Sequence, residues 1–312
     1  MVDVNTFLTT LYVMVDDFCQ TRPPKKRPGP EASLCQSELI TLAIFARWGR
    51  FNSERDFYRY ADGHLRGAFP TLPRRPQFNR LVRLYTQSIE EIAVKLGKMP
   101  EDRAHAYPKH SIVLRCPLGM PSAVDMDGSL ERPTSDGLTG WSNSIGWYEG
   151  FSVLAAIEPS GVIMGFCFGC ASTADQPLAE SFFAVRAKPD PRLPSVGRAF
   201  SGIYVADKGF EGTENHRRWL ECYGAELIHP PKRNSKMPCS KRLRRWVASL
   251  RQIVETVYDK LFNAFSLWRE RPHEMGGLRA RLAARVALHN FCIWLNDQLG
   301  RPRLAFADLL GW

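Results

Sequence analysis

The sequence predicts an all-helical region over residues 1–100 followed by an α/β core, a mixed sheet flanked by helices. Two observations predict this division. Apolar residues recur at helical spacing through the first hundred residues, and the composition then changes near residues 97–120. Beyond that point, short segments rich in β-branched and aromatic residues alternate with Gly and Pro. Three successive strands followed by alternating helices and strands are typical of a mixed sheet covered by helices.

The N-terminal region reads as a series of short helices. The first is predicted by apolar residues at helical spacing, namely Phe7, Leu8, Leu11, Tyr12, Met14 and Val15. A Pro-rich basic linker follows, and further helices are predicted to start near Ser37 and after Ser53. One longer helix is predicted over residues 77–96, carrying Arg80 and Arg83. Such a series is compatible with a helix-turn-helix DNA reader and also with a plain helical bundle.

The core is expected to span residues 101–275. Its strands are predicted by the segments PSAVDMDGSLE, GFSVLAAIE, GVIMGFCFGCAS and GIYVADKGF. Helices are predicted between and after them, starting near Asp175 and Thr213, with a long one over residues 241–268. Residues 123–127 and 203–207 are expected on neighbouring strands. The last amphipathic helix, within 276–312, is expected to pack on this core.

The charge of the chain indicates a polyanionic partner. There are 42 Lys and Arg residues against 32 Asp and Glu, a formal net charge of +10. Residues 232–251 contain eight basic residues and no acidic one. Nucleic acid is the first candidate for this partner and an acidic membrane surface the weaker one. The residues expected to contact its phosphates are Lys232, Arg233, Lys241, Arg244, Arg245 and Arg251. The alternative is that the run is only a solvated linker into the next helix.

Several protein classes are excluded by absent signals. The sequence has no P-loop, GxGxxG, GxSxG or HExxH motif. The one CxxC, formed by Cys167 and Cys170, lacks the further ligands of a zinc site, so reduced, packed thiols are expected. The longest near-apolar stretch, 161–171, is shorter than the roughly 20 residues of a membrane helix. A cytoplasmic protein without a membrane partner is therefore expected.

Acidic residues mark the ends of predicted strands and the border of a predicted helix. Asp125 and Asp127 lie two residues apart, hence on one face of a strand, and Asp207 ends the strand in IYVADKGF. Glu255 follows Arg251 by four residues beside an apolar helix stripe. Converging carboxylates can hold two magnesium ions for phosphodiester chemistry. Taken singly, an Asp before a turn glycine is usually a turn residue, and a helical Glu is usually solvated.

Asp125 is preferred to Asp127 as the first ligand because of its place on the strand. Asp127 precedes Gly128, where the chain is expected to turn and a short acid binds local backbone N–H groups. A ligand has to be held on a rigid element, which favours Asp125. Both residues point the same way on a strand, so orientation alone leaves the two alternatives open.

This spaced set of acids resembles the DDE triad of bacterial insertion-sequence transposases, which have a ribonuclease H-like catalytic core. Further segments, in the same order along the chain, resemble the branch of insertion sequences numbered nine-eighty-two. They are LYVMVDDF, LCQSELITLAIFARWGRFNSERDFYRY, AFPTLPRRPQFNRLVR, CASTADQ, VADKGF, PPKRN, RQIVET and HNFCIWLN. The resemblance covers essentially the whole chain.

The resemblance implies a DNA transposase that requires magnesium. Residues 1–100 would bind the terminal inverted repeats, and the ribonuclease H-like core would cut and join DNA strands. Asp125, Asp207 and Glu255 correspond to the triad that holds two Mg²⁺ ions, for which Mn²⁺ is expected to substitute. The implied partners are double-stranded DNA, at the element ends and at the target, and a second copy of the chain when assembled on DNA.

The wider superfamily carries a DNA-contacting lysine seven residues after the Glu; this chain has Phe262 there, and Lys260 is the nearest lysine. Asp175, in CASTADQ, is expected to cap the following helix.

Two other functions stay open: a catalytically inactive DNA-binding protein derived from a transposase, and a nuclease with the same core. An intact triad disfavours the first, and strand joining distinguishes the second.

Overall fold

A computed structural model describes residues 1–22, 33–98, 110–121, 139–142, 146–199, 202–230, 240–270 and 274–312, with side chains for all of these except 110–149. The chain divides into two compact units. Unit 1 consists of Met1–Pro100, Asp259–Leu267 and Pro272–Trp312, and unit 2 of Glu101–Tyr258 and Trp268–Arg271. The first is helical and the second combines a sheet with helices, so the predicted mixed helix-and-sheet character is confirmed.

The helices are α1 (Val4–Gln20), α2 (Gln36–Phe45), α3 (Glu54–His64), α4 (Arg75–Leu84), α5 (Thr86–Lys98), α6 (Asp175–Ala187), α7 (Thr213–Tyr223), α8 (Lys241–Asp259) and α9 (Met275–Gln298). The strands are β1 (Val2–Asp3), β2 (His110–Pro121), β3 (Thr139–Ser142), β4 (Gly146–Ile157), β5 (Ile163–Cys170), β6 (Ile203–Ala206), β7 (Glu226–Ile228) and β8 (Leu310–Gly311). No helix in the described ranges is both long and apolar enough to cross a membrane.

The helices of unit 1 begin where the sequence supplies caps. The side chain of Asp3 accepts a hydrogen bond from the Thr6 backbone N–H, and Ser53 accepts one from that of Asp56, which satisfies donors that a helix leaves unpaired. The predicted helix over 77–96 is two helices, α4 and α5, divided at Tyr85. The Thr86 hydroxyl donates to the carbonyl of Arg83 at this division.

Helix α9 forms the centre of unit 1 and is buried on most of its surface. It packs against α5, where Asn290 donates to the carbonyl of Ala93 and Arg279 pairs with the buried Glu90. Residues 276–312 belong to unit 1 together with the N-terminal helices, and their expected packing on the α/β core stays a prediction.

Unit 2 is built on a six-stranded sheet. Strand β4 pairs antiparallel with β2 along one edge and with β3 and β5 along the other. Strand β6 runs parallel to β2, and β7 parallel to β6. The chain returns between these parallel strands through helices α6 and α7, as parallel neighbours require. Four strands in antiparallel pairing, β2 to β5, are thus followed by two parallel ones, β6 and β7, that are separated by a helix.

In the described residues the neighbours of β6 are β2 and β7, and the expected placement of residues 123–127 beside 203–207 stays a prediction. Residues 110–113 of β2 pair with β6, whose other edge is occupied by β7, so both edges are taken. Residues 122–138, and with them Asp125 and Asp127, lie outside the described residues.

Helices α6 and α7 cover one face of the sheet. Their buried residues join those of β4 and β6 in one apolar core that includes Leu154, Ala156, Phe182, Phe183, Tyr204 and Trp219. The alternate residues Val153, Ala155 and Val205 are buried as well, so both faces of these strands are covered. Helix α8 buries a stripe that contains Val247, Leu250, Val254 and Val257, and ends at Asp259, where a π-helical turn, Lys260–Ala264, replaces the predicted continuation to residue 268.

Candidate active site

Asp207 lies at the carboxyl end of β6, where the strand gives way to a short turn. Its side chain accepts a hydrogen bond from the backbone N–H of Gly209 through Oδ1, so the expected turn chemistry is present. That bond fixes the carboxylate but uses only one of its oxygens. The side chain is 30% exposed, and Oδ2 points toward a cation on helix α8. Asp207 is therefore both a turn residue and a carboxylate held at the edge of the sheet.

Glu255 shares that cation with Asp207. Nη2 of Arg251 lies 3.9 Å from Oδ2 of Asp207 and 3.8 Å from Oε1 of Glu255. These two distances limit the separation of the carboxylate oxygens to less than about 8 Å, within reach of a pair of metal ions about 4 Å apart. Glu255 is 67% exposed, so its carboxylate is accessible to a ligand. The structure therefore brings together two of the three acids of the expected triad.

A further carboxylate, that of Asp175, lies beside Asp207. A Cβ placed on Gly209 would be 3.2 Å from Oδ1 of Asp207 and 3.4 Å from Oδ2 of Asp175, so both acids approach this glycine closely. The expectation that Asp175 caps α6 is wrong: the N-cap is Ala174, in an extended conformation, and Asp175 is the first helical residue. An acid there is still favourable, because the helix dipole is positive at this end.

Sequence reasoning missed the polar contacts that hold the segment after Asp207. The amide of Gln176 donates to the carbonyl of Glu211, and its oxygen accepts from Asn215 at 2.6 Å. Arg218 donates to the side-chain oxygen of Asn215 and forms two hydrogen bonds to Glu180. The segment is thus tied to the starts of both α6 and α7. The one sequence signal for this arrangement is CASTADQ, which contains Gln176.

Helix α8 begins with cations that do not favour its own stability. Lys241, Arg244 and Arg245 are exposed in its first turns, and the first turn contains no acidic residue. Positive charges at a helix N-terminus oppose the dipole and typically cost about 0.3–1 kcal/mol each. Spacings of seven and four residues, about two turns and one turn, place Arg244, Arg251 and Glu255 on one side of the helix. The exposed basic surface therefore continues along α8 to the acidic pair.

The other predicted DNA contacts are distributed over the chain. Arg80 and Arg83 are exposed on α4 of unit 1, and Nε of Arg83 lies 3.5 Å from Oε2 of Glu274. Lys260 begins the π-helical turn and lies 3.8 Å from Oδ2 of Asp259. The remaining two, Lys232 and Arg233, fall outside the described residues.

The acids present suit a hard divalent cation, which prefers carboxylate oxygens. Asp207 and Glu255 already converge on a single positively charged group, so their donor chemistry fits such an ion. Among the residues described, no cluster of three or more His, Cys, Asp or Glu side chains is placed to hold a metal. Cys167 and Cys170 are free thiols, and burial raises the pKa of Cys167 to about 12, so it stays protonated at neutral pH.

Comparison with known proteins identifies the family. Residues 119–291 match the family described as transposase DDE domain, a segment that contains β4 to β7, α8 and both acids of the pair. No curated protein and no solved structure gives a significant match to the chain. Since the matched segment covers more than half of the 312 residues, the protein belongs to the transposase DDE domain family.

Proposed function

We propose that the protein is an insertion-sequence transposase, of the branch numbered nine-eighty-two, that cuts DNA at the ends of its element and joins them to a target. The observation that carries this proposal is the approach of Asp207 and Glu255 to the same guanidinium nitrogen of Arg251. Two carboxylates from a strand end and a helix, brought together beside an exposed basic surface, are suited to phosphodiester chemistry.

The proposed core is ribonuclease H-like and carries Asp125 as the third acid. The succession of four strands in antiparallel pairing and two parallel strands joined by helices supports this assignment. Asp207 is held by the Gly209 N–H and Glu255 by the rigid helix α8, so each reaches the site from a fixed element. Asp127 is the alternative to Asp125.

The proposed chemistry divides between the acids and the basic residues. When bound, two Mg²⁺ ions, or Mn²⁺ in their place, would supply Lewis-acid activation of the attacking and leaving oxygens. Asp207 and Glu255, together with Asp125, would hold these ions. The basic residues contact phosphates near the scissile strand and supply affinity that does not depend on base sequence. They are Lys232, Arg233, Lys241, Arg244 and Arg245.

The helices of residues 1–100 are proposed to bind the terminal inverted repeats, with Arg80 and Arg83 among the contacts. Both arginines are exposed on α4, next to the buried stripe of Phe78 and Leu81 that fixes the helix in unit 1. Arg251 and Lys260 are proposed to contact the element end. A second copy of the chain is expected in the complex with DNA, and the DNA substrate would place the protein in the bacterial cytoplasm.

The test is cleavage and joining of a labelled duplex that carries the inverted repeats flanking the gene. We expect Asp207→Asn and Glu255→Gln to abolish nicking and strand transfer while binding to the element end, measured by fluorescence anisotropy, stays within about threefold of the unchanged protein. The matched control is Glu221→Gln, which removes an exposed carboxylate from α7 of the same unit.

Each alternative function gives a different result in this assay. Hydrolysis without a strand-transfer product would indicate a nuclease. Specific binding without cleavage by the unchanged protein would indicate a DNA-binding protein derived from a transposase. Normal cleavage by Asp207→Asn would contradict the proposed role of the acid pair.

A further inference from the structure

Arg251 holds an unusual position between the two acids. In the described part of the chain, it is the only ion-pair partner of both Asp207 and Glu255. Both contacts involve Nη2, and both are near 4 Å, longer than the 2.7–2.9 Å of a charge-assisted hydrogen bond. The guanidinium therefore compensates the two charges without being locked to either carboxylate.

The same side chain leaves one of its donors unused. Nε of Arg251 is buried, and it has no hydrogen-bond partner within the described ranges. A buried N–H without a partner costs free energy, so this placement of the guanidinium is not an optimum for the arginine itself. At 41% exposure, the side chain also has room to turn outward.

A plain helical salt bridge does not account for this arrangement. Arg251 and Glu255 are four residues apart on α8, and such pairs form on many helix surfaces. Asp207, however, belongs to a different element, at the end of β6. Two acids on separate elements therefore share one positively charged group, as they would share a bound divalent ion.

We propose that Arg251 is a displaceable internal cation that occupies the site of the acid pair until a divalent metal ion binds. The inference rests on the proposed function, because it takes Asp207 and Glu255 as metal ligands. Arg251 lowers the repulsion between the two carboxylates in the metal-free protein. It also competes with the metal ion, since two positive groups beside the same carboxylates repel each other.

The proposal is tested on the full-length chain with Mn²⁺ alone, by calorimetric titration in the absence of DNA. We expect Arg251→Gln to bind Mn²⁺ about fivefold more tightly than the unchanged protein, the order of magnitude for one partly exposed charge near 4 Å. Arg251→Lys keeps a competing cation and should stay within about twofold. Arg242→Gln, an exposed cation lost from the same helix, controls for net charge and should also stay within about twofold.

Thermal unfolding gives a second readout, the rise in Tm on adding Mn²⁺, which the loss of a purely structural arginine would leave unchanged. With EDTA, Arg251→Gln should melt below the unchanged protein, because the two carboxylates have lost their counter-ion. Saturating Mn²⁺ should raise its Tm by more than it raises that of the unchanged protein, since tighter binding gives a larger shift. Equal shifts in the two proteins would overturn the proposal.

The remaining outcomes separate the inference from the proposed function. If Asp207→Asn and Glu255→Gln lose Mn²⁺ binding but Arg251→Gln binds no more tightly than Arg242→Gln, the inference alone fails. If Arg251→Gln does not fold, a fivefold gain in Arg251→Lys, which retains the positive charge, would still overturn it. If the unchanged protein binds no Mn²⁺, or binds it equally well without either acid, both the inference and the metal-dependent function fail.

Discussion

Gly209→Ala is expected to impair the proposed active site while leaving the protein folded. The new methyl group would lie 3.2 Å from Oδ1 of Asp207 and 3.4 Å from Oδ2 of Asp175. The first distance is tighter than ordinary van der Waals contact, so the Asp207 carboxylate has to shift by about 0.3–0.5 Å. Its hydrogen bond from the Gly209 N–H opposes that movement.

The size of the effect follows from this displacement. A misplacement of about 1 Å can reduce catalysis about 100-fold, so a shift of 0.3–0.5 Å corresponds to a loss of about four- to tenfold in the nicking rate. Gly209 lies within the helical turn Lys208–Phe210 and is outside the left-handed region of φ, so alanine adopts its backbone conformation without strain. The free energy of unfolding should therefore change by less than about 1 kcal/mol.

The assay is single-turnover nicking of an end duplex, combined with thermal unfolding. Gly212→Ala is the matched control in the same segment, because the nearest atoms to its new methyl group, on Asn215 and Gln176, lie at 3.6 Å. We expect this control to nick within about twofold of the unchanged protein. If Gly209→Ala nicks as fast as Gly212→Ala while Asp207→Asn is inactive, the nicking rate does not depend on the exact position of the Asp207 carboxylate, and the prediction is refuted.

Two further predictions concern stability and DNA binding. Arg279→Met leaves Glu90, which is 2% exposed, without its cation, and should destabilise the protein by about 3 kcal/mol at pH 7 in urea unfolding. Burial already raises the pKa of Glu90, and losing Arg279 raises it further; the deficit should therefore shrink as the pH falls toward 4.5 and Glu90 is protonated in the folded state. A deficit independent of pH would contradict this cause. Replacing Lys241, Arg244 and Arg245 together by Gln should lower the slope of log binding constant against log salt concentration by about 0.9 per lost phosphate contact. An unchanged slope would show that these residues do not contact DNA phosphates.

Much of the local structure could be predicted from the sequence, because caps and hydrophobic periodicity act over a few residues. Ser53 starts α3 as its residue type suggests, and the apolar stripe of α8 is buried as its spacing predicts. Where local signals were ambiguous, the predictions were wrong. The division at Tyr85 and the early end of α8 at Asp259 depend on how each helix packs, which periodicity alone does not contain.

The candidate site shows the same distinction. The sequence by itself determined which residues have the required chemistry: Asp207 at a strand end, Glu255 beside an apolar stripe, and a basic run before it. Only the tertiary structure decided that Arg251 lies between these two acids and that Asp175 approaches Gly209. It also decided that α9 belongs with the N-terminal helices. The physical reason is that side-chain chemistry belongs to single residues, whereas distances between separate elements follow from sheet register and helix packing.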